Sequence, residues 1–581
     1  MFESVLIANR GEIAVRIARA CRELGVRTVA VYSEADRDAL HVASCDEAYL
    51  IGPADPASSY LAVDRIIDVV RRSGADAVHP GYGFLAENAD LARAVTAAGA
   101  VFIGPSPEAI ERMGDKLSAR EVARAADVPV VPGTLEPTAD PAVAIAFGEE
   151  HGYPVAVKAM FGGGGRGMKV VHDASEMEAA LASAAREASV AFGRSECYLE
   201  RYLERPRHVE VQVLGDLDGT VVHLSDRDCS LQRRHQKLIE EAPAPAIHPD
   251  VRTAIHDAAL RVSREMRYTN AGTCEFLLDE DGRRFYFLEM NTRLQVEHPV
   301  TELVTGIDLV HAQLRIASGD GIGFTQAEVG FRGHAIEARI NAEDPGAGFL
   351  PGPGTVTRLE PPLGPGIRFD TGLRSGGTIA REYDSMIAKL IVFAEDRASA
   401  CRRLGAALDE LEVKGVPTTV PFHRLAVTHP DFIAARHATS SVEREWDLST
   451  LLPHEDTEMV IAGEGHREEQ VTVELDGRRF EVRVHTRTSA RPRSRRSTAR
   501  PDAATGSGGS GEVLAPMQGT VIGYAVEPGA RVAEGDPIVT IEAMKMENTL
   551  RSPVSGTVSS TGTTPGTVVQ PGALLAVIDP D

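Results

Sequence analysis

The C-terminal end of this 581-residue chain is an internal duplication with a constant offset of 37 positions. Pro516, Gly519, Thr520 and Val521 recur as Pro553, Gly556, Thr557 and Val558. Gly529, Val532 and Gly535 recur as Gly566, Val569 and Gly572, and Ile541 recurs as Ile578. Each copy is about 30 residues of Val, Thr, Gly and Pro, too small to bury a core alone. Two such copies predict a pseudo-twofold all-β sandwich over 512–581. Its junction, Glu542-Ala543-Met544-Lys545-Met546-Glu547, then falls at one tip, with Lys545 displayed on an exposed turn.

The composition upstream changes abruptly. Residues 487–511 read RTSARPRSRRSTARPDAATGSGGSG, with six arginines, a Gly/Ser end and no apolar period. Such a stretch predicts a flexible linker. Before it, VTVELDGRRFEVRV at Val471–Val484 predicts a hairpin turning at Asp476-Gly477, within a small connecting segment at 446–486.

The first half is α/β. Ser4–Ala8 and Val29–Tyr32 read as strands, and Gly11–Leu24 between them carries Ile13, Ile17, Ala20, Cys21 and Leu24 at helical spacing. The alternation runs to residue 113 and predicts a parallel sheet covered by helices. Over 114–330, helices near 118–127 and 175–190 flank strands at Val155–Lys158, Val209–Val213, Cys274–Leu278 and Phe285–Glu289. Residues 331–445 read as a further α+β unit. The segment Asn9-Arg10-Gly11-Glu12 lacks the GxGxxG pattern of dinucleotide sites.

A formal net charge of -23 argues against nucleic acid as a partner. The six cysteines have neither CxxC nor zinc spacing, and no apolar run reaches the roughly 18 residues that span a bilayer. No leader-like segment is visible. A cytoplasmic location without membrane contact is the expectation.

Two stretches carry chemistry. Lys158 is followed by Phe161-Gly162-Gly163-Gly164-Gly165-Arg166-Gly167, five glycines in six positions. Glycine amides can close over phosphates, and the lysine adds a point charge. No Gly-Lys-Ser/Thr follows, so this is not a Walker A loop. Further on, Glu275 ends or interrupts one strand and Glu289 ends the next. A hairpin turning at Asp281-Gly282 sets these carboxylates side by side, where a divalent cation would relieve their repulsion. Asn291 can add a neutral oxygen ligand. Arg293 can hold a small oxyanion, Glu297 can take its proton, and Arg339 is a third charge that can converge there.

Long ordered stretches then resemble biotin carboxylases of the ATP-grasp class. They are ANRGEIAVRI at 8–17, HPGYGFLAEN at 79–88, MGDK at 113–116, KAMFGGGGRGMKVV at 158–171, RHVEVQ at 207–212, DRDCSLQRRHQKLIEEAP at 226–243, EMNTRLQVEHPVTE at 289–302 and RINAEDP at 339–345. The AMKM junction resembles the attachment site of biotin carboxyl carrier domains. The resemblance implies a biotin carboxylase N-terminal (pre-ATP-grasp) domain at 1–113, an ATP-grasp domain at 114–330, a C-terminal domain at 331–445 and a biotinyl/lipoyl-like sandwich at 512–581. It implies that Lys116, Lys158, Glu200, His208, Gln232 and His235 hold ATP under a lid of Gly162, Gly163, Gly164, Gly165 and Gly167. Glu275, Glu289 and Asn291 would bind Mg²⁺ or Mn²⁺. Arg293, Gln295 and Val296 would seat bicarbonate, with Glu297 as its base. Lys237 would stabilise the transferring charge, Arg339 the biotin enolate, and Tyr82 would lie on the biotin side. Biotin would be covalent on Lys545, attached by a biotin protein ligase.

The implied reaction activates bicarbonate as carboxyphosphate at the expense of ATP and passes CO₂ to biotin. No second catalytic half is visible, so the resemblance implies a separate carboxyltransferase β subunit, as in the α subunits of actinobacterial-type acyl-CoA carboxylases. A homo-oligomer through the catalytic region is implied as well. The alternatives are a pyruvate carboxylase subunit, an ATP-grasp carboxylate–amine ligase and a catalytically idle carrier.

A biotin that serves two sites needs reach. As a flexible coil, 25 residues have an r.m.s. span of roughly 25–30 Å. Excising 490–510 is expected to lower acyl-CoA carboxylation about tenfold or more. Biotinylation and free-biotin-driven ATP turnover should remain near wild type. A wild-type rate of acyl-CoA carboxylation in the deletion variant would contradict the tether.

Overall fold

The computed structural model describes residues 1–134, 138, 140–159, 169–192, 197–454, 466–475, 478–487, 511–515, 519–543, 546–569 and 572–580. The glycine lid, the Asp476-Gly477 turn, residues 488–510, Met544 and Lys545 lie outside them.

Five parallel strands open the chain: β1 (Ser4–Ile7), β2 (Arg27–Ser33), β3 (Glu47–Gly52), β4 (Ala77–His79) and β5 (Val101–Phe102). Their order is β3-β2-β1-β4-β5. Helix α1 (Gly11–Glu23) follows β1 and buries Ile13, Ile17, Ala20 and Cys21, the stripe its spacing predicts. The alternating α/β pattern is therefore a doubly covered parallel sheet, as expected.

Strands β6 (Val155–Ala159), β7 (Lys169–Val171) and β8 (Cys197–Arg201) form a small antiparallel sheet in the order β7-β6-β8. Helix α2 (Lys116–Ala125) precedes them, capped by the Asp115 side chain. A larger sheet contains β9 (Arg207–Gly215), β10 (Val221–Arg233), β11 (Gln236–Ala242), β12 (Asn270–Leu278), β13 (Phe285–Asn291), β14 (His334–Asn341), β15 (Ile367–Thr371) and β16 (Met386–Ala394). The eight strands run in the order β13-β12-β9-β10-β11-β14-β16-β15. Because β11 pairs with β14, one sheet crosses the expected unit boundary at 330/331. It carries residues of the ATP side and Arg339 on a single rigid surface.

Glu275 interrupts its strand and does not end it: it sits inside β12, where the register slips between Glu275 and Phe276, and β13 continues two residues past Glu289 to Asn291. The expected hairpin at 471–484 is longer: His466–Leu475 pairs with Arg478–Arg487, so Arg487 closes a strand instead of opening the linker.

The C-terminal unit is the expected sandwich. One sheet holds Glu512–Leu514, Leu574–Pro580, Gly556–Thr561 and Arg531–Val532 in that order. The other holds Met546–Arg551, Pro537–Ala543, Gly519–Tyr524 and Val568–Val569. Moving each strand of one sheet by the repeat offset generates its counterpart in the other, so every sheet takes strands from both repeats. The core pairs obey the same relation: Val521 with Val558, Val532 with Val569, Ile538 with Leu575 and Ile541 with Ile578, all buried. Ala543 and Met546 are the last paired residues of their two strands, and Met544-Lys545 falls between them in sequence.

Candidate active site

Strands β9 to β14 bring charged side chains onto one face. Lys237 enters β11 opposite Gln232 of β10. Its ammonium donates to Glu210 (2.6 Å), Glu297 (2.5 Å) and Glu275 (3.2 Å). Glu297 lies at the start of helix α3 (His298–Thr305), directly after the loop that leaves β13. Its second oxygen accepts from Arg339 Nη2 at 3.0 Å, while Arg339 Nε donates to Glu240 at 2.5 Å. Glu297 thus bridges the two cations expected to meet phosphate and biotin. Burial alone would push its carboxyl up, but Lys237, Arg339 and Arg227 outweigh this and hold it well below the usual carboxylate range. Lys237 is raised despite burial, because Cys229, Glu210, Glu275 and Glu297 surround it.

Arg227 lies beneath this cluster and is fully buried. It donates to Glu210, to Gln212 and Thr301 at 2.9 Å each, to Thr273 at 3.2 Å and to Gln295 Oε1 at 2.5 Å. An unpaired buried guanidinium would cost several kcal/mol, so this full set of acceptors is what permits it. It also fixes the Gln295 amide: the oxygen is taken, and Nε2 donates to Glu275 at 2.6 Å.

Glu275 and Glu289 are cross-strand partners in the β12–β13 pair. Burial is opposed at Glu275 by Lys237 and His208, which lower it, and His208 Nε2 stands 2.9 Å from its Oε2. Glu289 is raised, first by burial and then by the Glu275 charge. Two carboxylates in register, one destabilised by the other, make a site short of positive charge. Asn291 contributes a neutral amide beside them, 3.3 Å from Glu289. This donor set fits a hard divalent cation.

Arg293 donates to Glu87 Oε2 at 2.8 Å and to Asn291 Oδ1 at 2.8 Å, close to the Gln295–Glu297 segment. At the nucleotide side, Glu200 accepts from Arg120 at 2.5 Å and from Lys158. Gln232 is the penultimate residue of β10 and donates to the Cys229 carbonyl at 3.2 Å. His235 stands at the tip of the β10–β11 hairpin, where Arg234 and His235 both hold positive φ. Lys116 is exposed at the start of α2, where its charge partly opposes the rise at Glu289. Tyr82 donates its hydroxyl to Glu12. Val296, between Gln295 and Glu297, accepts at its carbonyl from Lys389 Nζ at 2.8 Å.

Sequence reasoning missed Glu87, Arg120, Glu210, Arg227 and Glu240. All but Arg120 fall inside the quoted motif stretches, and charged residues inside the strands were the available signal for Glu210, Arg227 and Glu240, while Glu87 in a turn and Arg120 in a helix carry none.

The chain matches four family descriptions: biotin carboxylase N-terminal domain over 1–110, carbamoyl-phosphate synthase L chain ATP-binding domain over 115–323, biotin carboxylase C-terminal domain over 337–444, and biotin-requiring enzyme over 511–578. It is 47% identical to the biotin-dependent acyl-coenzyme A carboxylase alpha3 subunit of Mycobacterium leprae, covering 99% of this chain and 98% of that protein. It is 51% identical to a pyruvate carboxylase subunit of Methanothermobacter thermautotrophicus over 74% of this chain and 88% of that one. Among solved structures, the biotin carboxylase domain dimer of Hydrogenobacter thermophilus 2-oxoglutarate carboxylase, in complex with MgADP, ADP and bicarbonate, superposes with a TM-score of 0.70 at 47% identity. It covers 76% of this chain and 97% of that one.

Proposed function

The chain belongs to the biotin carboxylase family and catalyses ATP-dependent carboxylation of biotin, and we propose that it does so as the α subunit of an acyl-CoA carboxylase, on a biotin joined to Lys545. The observation that carries this reading is end-to-end similarity to the alpha3 subunit, carrier region included. The pyruvate carboxylase relative supports a second acceptor class, although its match covers only 74% of this chain.

In this reading Lys116, Lys158, Glu200, His208, Gln232 and His235 hold ATP beneath the lid of Gly162–Gly165 and Gly167. Glu275, Glu289 and Asn291 hold Mg²⁺, which neutralises phosphate oxygens when bound; the MgADP of the Hydrogenobacter domain supports this. Arg293 and Gln295, with the Val296 backbone, seat bicarbonate. Glu297 takes the bicarbonate proton while a bicarbonate oxygen attacks the γ-phosphorus and ADP leaves. The carboxyphosphate so formed breaks into CO₂ and phosphate in a closed site. Phosphate removes the ureido proton of biotin, whose nitrogen then attacks CO₂, and Arg339 holds the developing charge on the ureido oxygen.

The depressed Glu297 carboxyl is a weak base while Lys237 and Arg339 both face it. Lys237 turned to a transferring phosphoryl group, and Arg339 turned to biotin, each leave it more basic. Proton removal is thus tied to substrate occupancy.

A carboxyltransferase β subunit completes the reaction, a biotin protein ligase loads Lys545, and residues 1–445 form a homodimer, as the dimeric Hydrogenobacter domain supports. The test is reconstitution of the biotinylated chain with a purified β subunit, offering acetyl-CoA, propionyl-CoA, a longer acyl-CoA and pyruvate. The expected result is carboxylation of an acyl-CoA. Turnover of pyruvate alone would move the protein to the second class.

A further inference from the structure

Lys389 is a lysine with no solvent exposure in an apolar strand, MIAKLIVFA, which is β16 of the 331–445 unit. A buried ammonium persists only when its donors are matched. Here Nζ donates to the Val296 carbonyl at 2.8 Å and lies 3.0 Å from Glu12 Oε1. Glu12 comes from the first turn of α1, and it accepts the Tyr82 hydroxyl as well. The ammonium stands 5.9 Å from the centre of the Tyr82 ring. In the sheet, Lys389 is the cross-strand partner of Arg339 on one side and of Asp370 on the other. Directly opposed residues of antiparallel strands share a face, so Lys389 flanks Arg339.

This one ammonium therefore touches the backbone of the bicarbonate segment and, through Glu12, the tyrosine of the biotin wall. The close fit around Glu12 reinforces the link. A Cβ built on Gly372, just past β15, would fall 2.6 Å from the Glu12 backbone nitrogen, so the α1 start is seated tightly on the C-terminal region.

We propose that Lys389 is a positioning residue that holds the Val296–Glu297 segment and the Glu12–Tyr82 wall in one register, so that bicarbonate and biotin are bound by a common scaffold. The proposal rests on the biotin carboxylase reading of residues 1–445. Lys389 acts through Val296 and Glu12 and touches no reacting atom, and its contacts, Val296, Glu12 and the Tyr82 ring, include none of the residues read as holding ATP.

The test uses the full chain, with ATP turnover measured against bicarbonate, free biotin and ATP in turn. Lys389→Met is expected to raise KM for bicarbonate and for biotin about tenfold, the loss of one charge-assisted hydrogen bond, with KM for ATP within twofold. Glu12→Gln is expected to raise KM for biotin severalfold. The double variant should cost no more than Lys389→Met alone, because both act on one link. Should Lys389→Met fail to fold, Glu12→Gln decides by itself, and an unchanged biotin KM overturns the proposal. Three KM values rising in proportion with a lowered Tm would also overturn it, as a merely structural lysine gives that result. A wild-type chain with no bicarbonate-dependent turnover would instead remove the family reading beneath it.

Discussion

Lys545→Arg is expected to leave the chain without biotin and without acyl-CoA carboxylation, while carboxylation of free biotin continues at the wild-type rate. Biotin attachment forms an amide and needs a nucleophilic amine. Arginine keeps the positive charge but is never deprotonated in a protein, so it cannot take lysine's place. The two repeats converge on this residue: the paired strands end at Ala543 and Met546, and only Met544 and Lys545 separate them. Intact mass should show one biotin adduct in wild type and none in the variant. An adduct that survives the substitution would place biotin elsewhere. The preserved free-biotin activity is the control for folding, since the substitution lies in the carrier sandwich and the charged cluster lies in 1–445.

The second large effect is expected from Glu297→Gln. Glutamine keeps the shape and an acceptor oxygen but cannot take a proton. Positioned general bases contribute about 10²–10⁴-fold, so bicarbonate-dependent ATP turnover should fall by that range. Some loss of stability accompanies it, because Lys237 and Arg339 each lose a carboxylate. Both retain partners, Lys237 with Glu210 and Glu275, and Arg339 with Glu240, so the fold should persist. A Tm measurement separates the two effects. Activity within tenfold of wild type in a folded variant would remove Glu297 from the proton-transfer step.

Much of this was legible because the informative signals are local. The repeat offset foretold a pseudo-twofold sandwich, though not that its strands interchange between the two sheets, and the β12–β13 hairpin was readable from its turn and its apolar run. The hairpin also gave the pairing of Glu275 with Glu289, but whether Glu275 ends or interrupts its strand stayed open, and a bulge directly after it, which no turn residue announces, decides for the interruption. The long-range pairings were not legible at all. Arg293 pairs with Glu87 across 206 positions, and Lys389 meets Glu12 from the opposite end of the catalytic region. Such pairs are made by topology, one between a turn of the N-terminal unit and the loop after β13, the other where α1 seats against β16, and no spacing rule encodes them. A lone lysine inside an apolar strand was a visible irregularity, yet without its partners it could equally have been a solvated edge charge.

The central claim is that this chain carboxylates a biotin held on its own Lys545. Labelled bicarbonate, incubated with the biotinylated full chain, ATP and Mg²⁺ but no acceptor, tests it most directly. The account predicts acid-labile label on the protein, approaching one per chain, dependent on ATP and absent from Lys545→Arg. Label that appears without ATP, or that persists at the same level in Lys545→Arg, would contradict it.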